Sequence, residues 1–205
     1  MPQSPAMRVN PAAGYDRAVQ AALLETGMPG YKEVLDYTFY DSASVVTGDT
    51  TNKSLFQAPT TNLANSNFYG SGAFPAGQAF LARTLRVIPT IGTAGADVIA
   101  LMKGLSMNFL LENAKKYIEG LAQFYPAGIG ATLEYIQGTA APLATGISHG
   151  NHGVAALGNV YRFTRPVVLR TLQPFVINML PLNPTLIATT RVYVALDGVF
   201  VRNTI

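Results

Sequence analysis

Hydrophobic and polar positions change their spacing several times along this chain, and each change predicts a different element. The first ten residues are polar and proline-containing and read as extended. After Pro11, the run AAGYDRAVQAALLETG places Tyr15, Ala18, Val19, Ala22 and Leu23 at i, i+3, i+4, i+7 and i+8, one face of a helix. Gly27 and Pro29 end it. Such a stripe needs a surface to lie on, whether its own domain, a neighbouring subunit or a membrane. From Val34 the period drops to two. VLDYTFY alternates, is rich in aromatic and β-branched residues, and reads as a strand. Residues 41–72 form a long polar stretch with one short strand expected in LFQAP, around Leu55. A connection of that length usually carries function or contacts.

The turn Pro75-Ala76-Gly77 then leads into FPAGQAFLARTLRVIPT, a strand expected to show Phe80, Ala82, Thr84 and Arg86 on one face and Leu81, Arg83, Leu85 and Val87 on the other. ADVIALMK (96–103) reads as a short helical turn. SMNFLLEN and KKYIEGLAQFYP read as two strands joined at Asn113-Ala114, with one amphipathic helix from Leu101 to Leu121 as the competing reading. Gly104 and Gly120 favour strands. Tyr135 to Tyr161 is glycine-rich, contains no Asp, Glu, Lys or Arg, and reads as a long loop or several short pieces. PVVLRTLQPFVIN (166–178) and TTRVYVALDGVFVRN (189–203) are strand-like again, with Asp197-Gly198 either a hairpin turn or a bulge in one continuous strand. Many short strands with Pro- and Gly-rich connections predict a mainly β fold, an antiparallel β-sandwich. A jelly roll of about eight strands, with a short N-terminal helix and long loops, is its expected form. The expected division is an N-terminal arm and helix over 1–30 and a sandwich domain over 31–205.

Composition changes the question from fold to surface. The 205 residues are 49% hydrophobic and only 12% charged, about half the usual charged share of roughly 25%. A chain so poor in charge either enters a membrane or hides much of its outside against other copies. No stretch reaches the roughly 18 to 20 apolar residues of a spanning helix, and the most apolar run, 166–186, is broken by Arg170 and three internal prolines, Pro174, Pro181 and Pro184. The start of the chain has no apolar core of a secretory signal, so synthesis in a cytoplasm is expected. Cysteine is absent, which removes disulfides, thiolate metal sites and cysteine nucleophiles. The net charge of +3 is small and scattered, so no specific nucleic-acid motif is expected.

Candidate chemistry is sparse. His149-Gly150-Asn151-His152 puts two imidazoles three residues apart in the uncharged loop, and these are the chain's two histidines. Imidazoles so placed are candidate metal ligands, but a cupin site needs a third histidine and a glutamate close by, and neither is in the local sequence. The expectation is therefore no metal and no cofactor, with His149 and His152 as polar loop or interface residues. Gly92-Thr93-Ala94-Gly95 lacks phosphate-loop spacing, and Ser148 beside His149 is not the geometry of a triad. Glu112 and Glu119 read as surface carboxylates near Lys115 and Lys116 rather than as a catalytic pair. Arginines 83, 86, 162, 165, 170, 191 and 202 fall in or beside expected strands, where they either pair with acids across subunits or face a phosphate-rich interior. No enzyme is expected. Subunit contact is expected at Tyr15, Val19, Leu23, Phe68, Tyr69, Ile147, His149 and His152.

The segments FPAGQAFLARTLRVIPT, NFLLENAKKYIEGLAQFYPAG and RVYVALDGVFVRN, within about Tyr37 to Asn203, resemble the small single-jelly-roll major capsid proteins of tailless bacterial and archaeal viruses. The resemblance is one of strand and turn pattern. It implies a viral structural protein that assembles in many copies into the shell around a genome, located in the virion. It also implies an N-terminal helix or long loops that clamp neighbours, with a second capsid or vertex protein and an internal viral membrane as further partners. A filament, tail or spike subunit, and a cupin-like binding module or enzyme, are the alternatives.

Overall fold

In the computed structural model, residues 26, 32–59, 62–112, 115–126, 132–135, 148–151 and 160–203 are described. The expected N-terminal helix, most of the 1–30 arm, Ile147 and His152 lie outside them. The elements in chain order are β1 (Lys32–Val45), β2 (Lys53–Leu55), β3 (Gln78–Pro89), α1 (Gly95–Gly104), β4 (Leu105–Leu111), β5 (Lys115–Leu121), a 3-10 turn (Ala122–Phe124), β6 (Thr132–Tyr135), β7 (Ser148–Asn151), β8 (Tyr161–Leu169), β9 (Phe175–Pro181) and β10 (Thr190–Asn203).

Eight of the strands form two antiparallel sheets, in the orders β1-β10-β3-β8 and β2-β9-β4-β5. The pairings are nested: β1 with β10, β2 with β9, β3 with β8 and β4 with β5. β6 and β7 form a separate two-stranded ribbon in the stretch between β5 and β8. Both sheets turn side chains into one shared core, the packing of a β-sandwich. Phe39, Phe80 and Val194 come from the first sheet, and Phe109, Phe175 and Ile177 from the second. Phe39 meets Phe80 and Phe200 edge-on at centroid distances of 5.1 and 5.6 Å, and Phe74 stacks on Phe175 at 5.8 Å. Each such ring contributes about 1.5–3 kcal/mol by leaving water, and the edge-on pairs add to it.

One bulge decides which residues reach that core. Asp197 and Gly198, consecutive in β10, pair with Thr84 and Ala82, so Arg83 is an extra residue in β3. After the β3 bulge the inward parity changes, so Phe80, Ala82, Leu85 and Val87 are all core residues. The strict alternation expected for this strand, which grouped Ala82 with Arg86 and Leu81 with Leu85, is therefore corrected. One inserted residue flips every side chain beyond it. In β10, Asp197-Gly198 lies within one continuous strand, opposite the β3 bulge, and not in a turn. A Cβ on Gly198 would lie 1.9 Å from the Leu81 carbonyl oxygen, so no other residue fits there without moving backbone.

Other expectations change with the pairing. The run expected as one strand over 166–178 is two strands in different sheets, separated at Arg170–Pro174. Pro174 lacks the N–H a continuing ladder needs, and Leu172 adopts a left-handed φ of 56° that breaks extension. The stretch from Tyr135 to Tyr161, read as a long loop or several short pieces, contains β7. The hairpin reading over the single long helix is borne out: the helix stops at Gly104, and β4 pairs antiparallel with β5. Asp97 in the first turn of α1 is 2% exposed and accepts backbone hydrogen bonds from Ile187 (2.7 Å) and Ala188 (3.2 Å), which fixes the connection into β10.

The polar stretch 41–72 has a structural job. Asn67 exchanges hydrogen bonds with the backbone of Tyr40 and gives one to the Thr38 carbonyl at 2.8 Å, along the outer edge of β1. Tyr40 and Tyr193 donate from their hydroxyls to the carbonyls of Leu63 and Ala64, and Arg191 bonds the Asn65 side chain. An edge strand left open is a template for unwanted pairing; here the chain's own loop occupies it.

Candidate assembly surfaces

The outer face of the β1-β10-β3-β8 sheet is divided into three zones. At its middle, Asp197 accepts hydrogen bonds from Thr38 (2.7 Å) and Thr84 (2.6 Å) and an ion pair from Arg86 (2.6 Å). Asp197 stands between β1 and β3, because both strands pair with β10 there, Thr38 and Thr84 being its register partners. At the end nearest Lys32, Ala79, Leu81, Val199 and Val201 form an apolar cluster separate from the main core, with Val34 and Val168 packed beside it. At the other end, Tyr40, Ile88 and Tyr193 line an open groove of about 440 Å³, flanked by Leu63 and by Ile91, which is 96% exposed. Tyr40 and Tyr193 meet edge-on at 6.3 Å. Arg86 also lines this groove, and its Nε is buried without a hydrogen-bond partner among the described residues.

Further apolar side chains stand out from connections: Ile187 at 78% exposure, Leu172, Phe124 and Leu182. The charges sit elsewhere. β5, the edge of one sheet, carries Lys115, Lys116 and Glu119, and β8, the edge of the other, carries Arg162, Arg165 and Pro166. Between these edges lies a cleft of about 360 Å³ lined by Lys115, Tyr117, Arg165, Arg170, Glu112 and Gln173 among others. Charged and prolyl edge residues resist strand-to-strand addition, which directs association toward faces and loops.

The expected contact residues separate under this geometry. Phe68 is fully buried in the chain's own core, edge-on to Phe39 at 5.9 Å and to Phe56 at 5.5 Å. Its place is inside the subunit because the neighbouring loop turns it inward: Ser66 accepts the Phe68 N–H at 3.1 Å and donates to the Tyr40 carbonyl. Tyr69, next in sequence, is 44% exposed and bonds Gln78 through its hydroxyl; burial of the rest of the ring raises its pKa above the usual tyrosine value. His149 lies in β7, where it is the register partner of Glu134 in β6. That pairing brings an acidic position opposite a histidine position, which the linear sequence does not show. Among the described residues no three His, Asp or Glu side chains gather as metal ligands. Tyr15, Val19, Leu23, Ile147 and His152 fall outside the described residues.

Glu112 and Glu119 do not form a pair: Glu112 accepts from Gln173 at 2.8 Å, and Glu119 pairs with Lys116 at 2.7 Å on the surface. Several arginines find their partners within the chain, Arg83 with Asp36 at 3.6 Å and Arg202 with Glu33 at 2.5 Å. The groove itself, with Ile88, Ile91 and Tyr193, was missed in the sequence. Its signal was the lone Ile91 in a turn beside a strand face otherwise polar. No protein-family model matches the chain, and no curated protein matches its sequence.

Proposed function

We propose that this chain is a self-assembling capsid subunit whose sandwich is a jelly roll. The observation that carries the reading is the nested pairing. A jelly roll arises when one long antiparallel hairpin of four strand pairs is rolled up, and first-with-last, second-with-seventh, third-with-sixth and fourth-with-fifth is the pairing that rolling produces. Omitting the β6–β7 ribbon, the eight strands here pair in that order. Viral shells, lectins and cupins all use this topology, so the surface has to choose among them.

The surface favours a shell. Isolated apolar residues are ordinary, but Leu63, Ile88, Ile91 and Tyr193 converge on one groove. The chain as a whole has half the usual charge to keep copies apart. The interior argues against a cupin-like enzyme, because the space between the sheets is filled by phenylalanines, leucines and valines. Purified protein imaged by negative stain is expected to show closed shells. Tubes or small rings would move the assignment to a filament, tail or spike subunit, and a monomer or dimer carrying stoichiometric metal would move it to the cupin-like class.

A further inference from the structure

Five of the chain's 14 lysines and arginines stand along one side of the sandwich: Lys115 and Lys116 on β5, Arg162 and Arg165 on β8, and Arg170 just after it. All five are exposed. The acids beside them are Glu112 and Glu119, so the surplus of positive charge here is as large as the formal +3 of the whole chain. Keeping two sheet edges from pairing needs charge, but not charge of one sign. A one-sided surplus in a chain so poor in charge fits an anionic partner. We propose that the cleft between β5 and β8 binds the phosphate backbone of a single-stranded nucleic acid, without reading its sequence.

Interruptions in both edges shape this cleft. In β5, Lys116 pairs with Leu110 and Ile118 with Phe109, so Tyr117 is an extra residue outside the ladder. In β8, Val167 pairs with Ala82 and Arg162 with Thr84, so residues 163–166, Arg165 among them, have no β3 partner. Glu112, in the lining, and Leu172, beside Gln173 of the lining, hold left-handed φ values of 54° and 56°. Non-glycine residues are strained there, and such strain gathers at ligand sites. The cleft of about 360 Å³ joins three cations, Lys115, Arg165 and Arg170, to apolar surface on Pro166, Val168 and Tyr117. Tyr117 is 38% exposed, the buried Phe109 ring backs it at 6.1 Å, and the Lys115 Nζ lies 5.0 Å from its centroid. A fixed aromatic face beside cations suits a single strand, whose bases stack while its phosphates meet the charges. Glu112 is the carboxylate of the lining, and Gln173 donates to it at 2.8 Å. The two edges are far apart in the chain, so charge that is scattered in the sequence is gathered by the fold.

The test is fluorescence anisotropy of a labelled single-stranded oligothymidine, titrated with the full parent chain and with the Ile91→Asp chain, whose cleft is unaltered. Binding should weaken about 20-fold between about 50 and 200 mM salt, the dependence expected for three phosphate contacts on a single strand. Lys115→Gln should lower the affinity and reduce the salt slope by about 0.7. Tyr117→Ser should weaken binding about tenfold and leave the slope unchanged. Glu112→Gln should tighten binding. Lys103→Gln, the same charge change at the exposed end of α1, should bind as the parent does. Unfolding midpoints confirm that each variant is folded. No binding by either chain at about 50 mM salt overturns the proposal. So does a loss as large in Lys103→Gln as in Lys115→Gln, which would make the attraction one of net charge alone. Tripolyphosphate that competes as well as the oligonucleotide at equal phosphate also overturns it, by making the ligand a small phosphate. A monomeric chain that binds keeps this inference and loses the capsid reading, whereas shells and subunits that do not bind lose this inference alone.

Discussion

On one outer sheet face, Leu81 and Val199 are as buried as the phenylalanines between the sheets, while 88, 91 and 193 a few residues along the same strands line an open groove. The two ends share strands, alternation and a composition of Ala, Val, Ile and Tyr. They are divided by the Asp197 carboxylate with its Thr38, Thr84 and Arg86 donors. Apolar character alone therefore does not distinguish a surface that belongs to the subunit's stability from one left for other copies. The distinction lies in burial: Leu81 and Val199 are fully covered, while Ile91 is 96% exposed beside residues 62–67, which bond to β1 and β10 at the groove's margin.

Substitutions at the two ends should separate stability from association. The largest effect belongs to the sealed side. Gly198→Val forces a side chain onto the Leu81 carbonyl and should prevent folding or cost at least about 3 kcal/mol by denaturant unfolding; Leu81→Ala, which leaves a cavity, should cost about 2–5 kcal/mol. Loss of the divider comes next. Asp197→Ala leaves Thr38, Thr84 and Arg86 without their shared acceptor and should cost about 1–3 kcal/mol.

A smaller effect follows acid. Asp49 is buried, its carboxylate held by the Thr51 N–H at 2.9 Å and paired with Lys53 at 3.0 Å, and the backbone hydrogen bond leads the causes that lower its pKa. A lowered folded-state pKa stabilises the protein above the unfolded value, and that stability is lost as pH falls below about 4. Asp49→Asn should therefore show denaturant midpoints that depend less strongly on pH below about pH 4 than those of the parent chain, while being less stable than it at neutral pH. Smallest for folding is the open side: Ile91→Ser should leave stability within about 0.5 kcal/mol, since the side chain is almost wholly in water. If Ile91→Ser instead unfolds the chain, the two ends are not different in kind.

How far the sequence carried this picture depends on residue type. The β1 and β10 alternations were readable because both strands carry apolar residues on the core side at strict period two, as Phe39 and Val192, Val194 and Leu196 do. The pairing of β4 with β5 was readable because Gly104 and Gly120 weigh against a helix that local apolar spacing would allow. The β3 faces were not, since a bulge has no sequence mark of its own beyond a break in parity that looks like noise. Phe68 was misplaced for a related reason: a phenylalanine among Asn and Ser looks like an exposed contact until Ser66 and Asn67 are seen tying the loop to β1. β7 could not be found from composition, because SHGN has neither β-branched residues nor alternation. The site fared worse than the fold, since a groove is assembled from β1, β3, β10 and two loops that no local pattern links.

The most direct test is sedimentation velocity of the purified chain beside Ile91→Asp and Tyr193→Asp variants, across salt and pH. The parent should sediment as large particles and both variants as folded subunits, Ile91→Asp with an unchanged unfolding midpoint and Tyr193→Asp, which also loses its bond to the Ala64 carbonyl, with a lowered one. A parent chain that stays monomeric under every condition, or variants that assemble as the parent does, would contradict the account.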